Sequence, residues 1–263
     1  VNIRNKNFTW SSTFGLSHNK NTIKHLYYRY EDVLNEAGEV VGSKEVDDVN
    51  RGWFVGKDIS AIWDHAFIGI WQEDEAEEAA KYGQQPGDAK VRDVNGDYKI
   101  TQEDKVFLGQ ETPKFRWSFR NEFTLFRNWD ISLNLYSQMG HKQSTTEYLN
   151  FFDNLGDYSN TYKREYWTPE NKSNSYARLK STRPSNINPK KVINKGFIRL
   201  ENISVSYRVP QQFARKLMAK EISIYGTVRN VAVWAFDKEW DYWDPETKGL
   251  LPRTFTFGAS ITF

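Results

Sequence analysis

Oxygen-bearing side chains occupy every second position at the start of the run 93–104. Asp93, Asn95 and Asp97 fall at loop positions one, three and five, and Asp104 falls at position twelve. Lys99, at position seven, would add its backbone carbonyl. Calcium takes several oxygen ligands at about 2.3–2.6 Å, and this spacing wraps such ligands around one point. The sequence therefore predicts a structural Ca²⁺ held by Asp93, Asn95, Asp97, Lys99 and Asp104.

Two departures from the usual calcium loop leave a metal-free alternative open. Position six, where glycine normally makes the sharp turn, is Tyr98, and the last ligand is an aspartate instead of the longer glutamate. No pair of long amphipathic helices flanks the run, so a hand that opens on binding is not expected. The alternative is an Asx-rich polar loop that closes without an ion.

A second group of chemically suggestive side chains lies near the carboxyl end, where aromatic and acidic residues follow one another. Aromatic faces beside carboxylates suit a sugar or a partner protein. The sequence therefore predicts substrate or partner contact by Trp240, Tyr242, Trp243 and Asp244. An aromatic girdle at a strand end, or packing within the loop, would use the same residues.

Catalytic constellations are missing from the sequence. The four histidines (His18, His25, His65 and His141) show no metal-ligand spacing, and neither a Gly-x-Ser-x-Gly motif nor a phosphate loop occurs. The net charge of +2 is too small to indicate a nucleic-acid partner, and the absence of cysteine excludes disulfides. We expect neither an enzyme nor a nucleic-acid-binding protein.

Alternation of large apolar and small polar residues is the main structural signal. Phe255, Phe257, Ala259, Ile261 and Phe263 share one face of a terminal strand. The same period of two runs through 115–125, 129–137, 197–209 and 221–233. Strands of about ten residues suffice to cross a bilayer when tilted. With 16% aromatic residues at a mean hydropathy of −0.74, the pattern predicts an all-β, antiparallel transmembrane β-barrel segment with long extracellular loops.

The remaining stretches complete this outline. The chain is expected to carry a calcium-loop-like excursion at 84–112 and a long loop at 138–195 with a short helix near 146–152. Residues 73–80 are acidic helix formers. Residues 8–16 and 22–30 are predicted to pair as a hairpin, and 53–56 is a further candidate strand. A transmembrane helix is excluded, because no run of about 18 apolar residues occurs.

Several short motifs occur in a fixed order along most of the chain. They are Pro86-Gly87-Asp88, Asp93-Val94-Asn95-Gly96-Asp97 with Ile100 and Asp104, Gly109, Pro113-Lys114-Phe115, Asn121 and Phe123, residues 197–207 (FIRLENISVSY), Asn230, Asp244-Pro245-Glu246, and residues 252–258 (PRTFTFG) with terminal Phe263. This ordered set resembles the C-terminal barrel portion of the SusC/RagA family of TonB-dependent outer-membrane transporters of Bacteroidetes.

The resemblance implies the last third or so of a barrel of about 22 strands, in the bacterial outer membrane. It implies a TonB-energised importer of oligosaccharides or peptides that works under a SusD-like surface lipoprotein lid. The implied partners are the remaining N-terminal barrel and plug, the TonB complex through that missing part, the lipoprotein and outer-membrane lipid. Phe263 would be the signal read by the barrel-assembly machinery. The family more often has glycine at the position of Tyr98, so the resemblance to a calcium loop is weaker at this position.

Two other architectures fit parts of the pattern. A soluble, calcium-stabilised β-sandwich that binds carbohydrate would have two packed sheets of shorter strands. A complete small outer-membrane barrel would close on itself with about eight strands. Residues 1–6 do not form a signal peptide, because a methionine and an apolar segment are lacking. We therefore expect a processed chain or a piece of a longer one.

Overall fold

The computed structural model describes residues 1–145, 165–187, 189–240 and 243–263. Two compact units share the chain: unit 1 comprises 1–20, 112–141 and 194–263, and unit 2 comprises 21–111 and 142–193. Strands dominate both units. They are β1 Ile3–Arg4, β2 Phe8–His18, β3 Tyr30–Leu34, β4 Val40–Glu45, β5 Ala61–His65, β6 Phe67–Ile70, β7 Ala89–Val91, β8 Lys105–Gln110, β9 Phe115–Leu125, β10 Trp129–Met139, β11 Lys142–Thr145, β12 Lys191–Asn194, β13 Phe197–Arg208, β14 Glu221–Ala235 and β15 Thr254–Thr262.

Helices in the described residues are short. The two α-helices are α1 Ala76–Lys81 and α2 Gln211–Ala214. Single 3₁₀ turns occur at Glu73–Glu75, Gln102–Asp104, Pro184–Asn186, Arg215–Leu217 and Lys238–Trp240. Within the described residues, none of these helices has the length and apolar character needed to cross a membrane.

Unit 1 contains one antiparallel sheet of seven strands in the order β1-β2-β9-β10-β13-β14-β15. β9 and β10 pair over their full lengths, from Leu125 opposite Trp129 to Phe115 opposite Met139. At one end of the sheet the connections are short, 126–128 and 209–220. At the other end they are long, including 19–114, 140–196 and 236–253. Tight turns at one end and long loops at the other are typical of outer-membrane barrels.

The seven-stranded sheet has one apolar and one polar face. Trp10, Phe123, Ile131, Val205 and Ile224 face one side. Side chains directly opposite one another in the ladder share a face. On the apolar face, Phe14, Leu16, Phe255, Phe257 and Ile261 are largely exposed. The opposite face carries small polar and charged residues, among them Ser11, Glu122, Ser132, Ser204, Thr227 and Thr256.

A bulge in β13 changes which side chains reach the polar face. Asn202 pairs with Asn134, but the next pair is Leu200 with Leu135, so Glu201 is left without an opposite residue on β10. Because side chains alternate along a strand, one extra residue inverts the faces beyond it. Arg199 therefore lies opposite Tyr136 on the polar face. Simple alternation from Ile203 would have placed Arg199 on the apolar face.

The described residues of unit 2 contain four two-stranded sheets, β3–β4, β5–β8, β6–β7 and β11–β12. Its core includes Ile70, Ala89, Trp167 and Ala177, with Phe67 packed against them. The fully buried carboxylate of Asp88 accepts hydrogen bonds from Arg178 Nε at 2.9 Å and from the Thr182 amide at 2.8 Å. Gly87, at φ +88°, lies so close to Trp167 and Arg178 that a Cβ would collide with both.

Some expectations from the sequence hold and others are wrong. β9, β10, β13, β14 and β15 match the predicted strands, and residues 73–81 are helical. The predicted hairpin of 8–16 with 22–30 is wrong, since β2 pairs with β9. The short apolar run 53–56 forms only an isolated bridge, from Trp53 to Asp48. For residues 8–16, local alternation gave no information on the long-range partner. The helix expected near 146–152 lies outside the described residues.

Candidate functional site

Arg199 is the centre of a charged cluster on the polar face of unit 1. Its side chain is only 2% exposed. One guanidinium nitrogen, Nη2, lies 2.6 Å from Asp244 Oδ2 and 3.4 Å from Glu246 Oε2. The rings of Phe197 and Tyr136 lie 5.2 and 5.9 Å from its Cζ atom. A buried arginine thus meets two carboxylates from the β14–β15 connection.

Two side chains of β10 hold the second of these carboxylates. The Tyr136 hydroxyl donates to Glu246 Oε2 at 2.5 Å, and Gln138 Nε2 donates to Glu246 Oε1 at 2.9 Å. Tyr136 and Gln138 lie opposite Arg199 and Phe197 in the β10–β13 ladder, so all four share the polar face. β10 and β13 therefore present hydrogen-bond donors that bind the segment 243–249.

The segment 243–249 is shaped by its own hydrogen bonds. Asp244 Oδ1 accepts from the amides of Glu246 and Thr247 at 3.0 and 3.1 Å. The Lys248 amide donates to the Asp244 carbonyl, and the Asp244 amide donates to the Gly249 carbonyl. Asp244 thus uses one carboxylate oxygen to close a turn and the other to bind Arg199. The arrangement holds the loop against the sheet.

An open groove of about 410 Å³ lies beside this fastening on the polar face. Tyr136, Gln138, Ser118, Ser17 and Gly15 are among the residues that line it. A Cβ at Gly15 would lie 3.0 Å from Ser118 Oγ, so glycine keeps the floor of the groove open.

The structure places the aromatic–acidic residues predicted to contact a substrate or partner mainly in packing positions. Trp240 is buried and donates from Nε1 to the Asn194 carbonyl at 2.7 Å. Asp244 is buried against Arg199, and Trp243 is half-buried. Tyr242 lies outside the described residues. Substrate contact by these residues stays a prediction.

The predicted calcium loop is closed by hydrogen bonds among its own residues. Asp93 Oδ1 accepts from the Gly96 amide at 2.7 Å, and its Oδ2 accepts from the Tyr98 amide at 2.9 Å. Asn95 and Asp97 accept in the same way from residues two positions further on. Each of these three side chains thus caps backbone amides of the loop.

Asp104 closes the far end of this loop from a fully buried position. Its Oδ1 accepts from the Val94 amide at 2.8 Å and its Oδ2 from the Thr101 amide at 2.7 Å. Tyr98 has φ +63°, the left-handed conformation that glycine normally supplies at this position. No group of three or more His, Cys, Asp or Glu side chains in the described residues is placed to hold a metal ion. The acidic side chains thus act as turn caps, and calcium binding through them and Lys99 stays a prediction.

Two further side chains, Tyr82 and His141, have pKa values that are shifted by burial and by nearby charges. The pKa of Tyr82, whose hydroxyl donates to Asp93, is raised to about 12 by burial and by the Asp93 charge. Burial, with smaller contributions from the charges of Lys195 and Arg116, lowers the pKa of His141 to about 4.

Sequence reasoning missed the cluster around Arg199. Its members Arg199, Asp244 and Glu246 stand within the motifs that carry the family resemblance, but only Asp244 was given a role, as a contact for a substrate or partner. The bulge at Glu201 and the fold of the β14–β15 connection bring them together. Neither feature has a pattern in the sequence that predicts it.

Comparisons with known proteins agree on one kind of relative. The chain is 27% identical over its whole length to TonB-dependent receptor P26 of Formosa agariphila, of which the match covers 28%. It is 23% identical, again over its whole length, to TonB-dependent receptor P3 of the same organism, of which 27% is covered. No protein-family model matches the chain.

Solved structures of a RagAB peptide importer share the fold. The structure in the open-open state aligns with a TM-score of 0.62 at 15% identity, covering 99% of this chain and 27% of that chain. The closed-closed state gives a TM-score of 0.64 at 15% identity, covering 99% and 28%. The chain thus spans about 28% of the length of the relatives that it matches.

These findings confirm two expectations from the sequence. The chain resembles the C-terminal barrel portion of SusC/RagA-type TonB-dependent transporters, as its motifs indicated. Its fold is an all-β, antiparallel segment of a larger β-barrel. The alternative of a β-sandwich is not supported, because the long strands of unit 1 form a single sheet.

Proposed function

We propose that this chain is part of the wall of a TonB-energised importer in the bacterial outer membrane. The observation that carries this proposal is the seven-stranded sheet with its exposed apolar face and its polar opposite face. In a barrel wall the apolar face meets lipid and the polar face lines the lumen. The relatives' names, TonB-dependent receptor and RagAB peptide importer, support the same assignment.

The cargo is a nutrient too large for simple pores, an oligosaccharide or a peptide. The named peptide importer among the structural neighbours supports the second class. Polar residues with a few charges, as on β9, β10 and β13, suit hydrated cargo with hydrogen-bonding groups. The chain moves cargo and performs no bond chemistry, in keeping with relatives that are named receptors and importers.

The partners follow from what the sheet leaves unpaired. Among the described residues, the outer edges of β1 and β15 bind no further strand of this sheet. In a membrane such edges must be paired, and the remaining N-terminal barrel would supply the strands. That part would also bring the plug and the contact to the TonB complex. A SusD-like surface lipoprotein would cover the end with long connections, and exposed Phe263 would be the barrel-assembly signal.

Cell fractionation of the organism that makes this chain tests the proposal. The native protein is isolated through an affinity tag placed in the exposed 36–38 turn of unit 2. A strain that makes the untagged protein is the control. We expect recovery from the outer-membrane fraction only after detergent extraction, together with a co-purifying surface lipoprotein. Recovery from the soluble fraction without detergent would contradict the proposal. Membrane recovery without a lipoprotein would contradict only the lid.

A further inference from the structure

The connection between β14 and β15 is held at both of its legs in unit 1. On the outgoing leg, the Phe236 amide donates to the Gly196 carbonyl at 2.8 Å, and Trp240 Nε1 donates to the Asn194 carbonyl. On the returning leg, Asn230 Nδ2 donates to the Pro252 carbonyl at 2.9 Å, and Arg253 Nη2 donates to the Val231 carbonyl at 2.7 Å. A connection restrained in this way does not behave as a free surface loop.

The middle of this connection lies on the polar face. Arg199, Tyr136 and Gln138 project from that face by their register, and all three bind Asp244 or Glu246. The segment therefore covers the wall of β10 and β13 near the end with long connections. If the polar face lines the lumen, residues 243–249 project into the lumen.

We infer that residues 243–249 form an inward rim of the transport path, positioned by Arg199, and that this rim limits the size of cargo that passes. The inference rests on the proposed function, because it takes the polar face as the lumen. It goes beyond that function by assigning a size-limiting role to one loop. Arg199 is here a positioning residue, since it holds the rim and need not touch cargo.

Charge balance explains why the rim stays in place. Arg199 is almost fully buried, and its Nε has no hydrogen-bond partner within the part of the chain that the structure describes. Asp244 and Glu246 lie 2.6 and 3.4 Å from Nη2 and compensate the charge of the buried guanidinium. A buried charge without compensation is strongly unfavourable, so the rim and the wall stabilise each other. Pro245, fully buried between the two carboxylates, further restricts the segment.

The exposed side of the rim is suited to contact with hydrated cargo. Thr247 and Lys248 are exposed, whereas Asp244 and Pro245 are buried. The groove lined by Gly15, Ser118 and Tyr136 lies directly beside Glu246, because Tyr136 contacts both. Cargo passing along this groove therefore passes the rim.

A cysteine placed beyond the rim on the polar face provides the test. Asn134, which is replaced by cysteine, lies on the same face of β10 as Tyr136. It is two residues further than Tyr136 from the end with the long connections. The native protein in intact outer membranes is treated from outside with a small hydrophilic maleimide and with a much larger polyethylene-glycol maleimide. The readout is the ratio of the two labelling rates. A general loss of stability would change both rates together and is not expected to change their ratio.

The release variant is Asp244→Asn with Glu246→Gln, which removes both charges that compensate Arg199. We expect the large probe to be excluded in the Asn134→Cys background and to gain access in the release variant, while the small probe labels both. The matched control is Arg229→Gln, which breaks the exposed Arg229–Glu201 pair at 3.4 Å, also in the sheet. We expect no change in its ratio.

A second, milder variant keeps the test valid if the release variant does not assemble. Tyr136→Phe with Gln138→Ala removes only the hydrogen bonds that these two uncharged side chains donate to Glu246, and it leaves the Arg199–Asp244 pair. It should shift the ratio in the same direction by a smaller amount. Equal ratios in the parent and the assembled variants would overturn the size-limiting rim. Failure of the small probe to label Asn134→Cys in every background would instead count against the polar face as lumen, and so against the proposed function.

Discussion

Arg199 on β13 and Asp244 in the β14–β15 connection form an ion pair of 2.6 Å between side chains that are 2% and 5% exposed. The two residues are 45 positions apart in sequence. A bulge at Glu201 turns the arginine to the polar face, and a turn of the connection brings the aspartate to it. The pair joins a strand to a loop that would otherwise leave the sheet.

The first prediction concerns the stability that this pair provides. Asp244→Ala leaves the buried guanidinium without its nearest carboxylate, and removal of one partner of a buried pair costs about 3–5 kcal/mol. Arg229→Gln breaks an exposed pair and should cost no more than about 1 kcal/mol. Denaturant unfolding of the refolded protein in lipid bilayers measures both free energies. Equal losses for the two variants would show that burial does not strengthen the Arg199 pair.

The second prediction concerns the two faces of β10. Leu133→Arg places a charge in the middle of the apolar face, whereas Ser132→Arg places it on the polar face one residue away. A lipid-facing arginine near the bilayer midplane costs about 2–4 kcal/mol. We therefore expect outer-membrane assembly to fall for Leu133→Arg and to stay near the parent level for Ser132→Arg. The amount of heat-modifiable barrel in membranes measures this, and the opposite order would reverse the assignment of the faces.

The third prediction concerns calcium at residues 93–104. If Asp93, Asn95, Asp97, Asp104 and the Lys99 carbonyl bind Ca²⁺, chelation removes their shared counter-ion and the carboxylates repel one another. Amide hydrogen exchange at Gly96, Tyr98 and Lys99 should then become faster after chelation and recover on addition of Ca²⁺ but not of Na⁺. Unchanged exchange would favour a loop closed by hydrogen bonds alone. In that case Asp97→Asn should also leave the exchange rates unaffected by chelation.

The fourth prediction concerns pH and His141. Burial, with the charges of Lys195 and Arg116, lowers the pKa of this imidazole to about 4, against about 6.5 in an unfolded chain. Between these values the unfolded state binds more protons, so the contribution of neutral His141 to stability is present above about pH 6.5 and is lost as the pH falls towards 4. The loss should be smaller in His141→Gln.

Exposed His18 provides the control for this comparison. His18→Gln makes the same chemical change at an exposed position of β2. Thermal unfolding in detergent across the window measures all three proteins. The same pH dependence in the parent and in His141→Gln would contradict a buried neutral imidazole.

Alternation along the chain was sufficient to predict six of the seven strands in the sheet of unit 1, all except β1, but not all of their partners. β9 and β10 were predictable as a pair because a short connection joins two regular strands. β2 was assigned to the wrong partner, since its true neighbour β9 lies about a hundred residues away. Alternation does not identify the partner of a strand at this separation in sequence, because every strand with the same period meets the same criterion.

The site was less predictable than the fold for a related reason. Trp240 and Asp244 were predicted to contact a substrate or partner, with packing within the loop as the alternative. The structure buries both residues, since the loop folds back onto the sheet. Arg199 was visible only as one residue of a strand. A bulge that inverts the faces depends on the cross-strand register, which composition and periodicity do not specify.

The central claim is that the sheet is a membrane-spanning wall with lipid on one face and water on the other. The most direct measurement is the accessibility of nitroxide labels placed singly along β15, from Thr254 to Thr262, in the native protein in lipid bilayers. We predict that accessibility to oxygen peaks at Phe255, Phe257, Ala259 and Ile261, and that accessibility to a water-soluble nickel chelate peaks at Thr254, Thr256, Gly258 and Ser260. Labels at 255, 257, 259 and 261 that are shielded from oxygen, as in a sheet packed against a second sheet, would contradict the account.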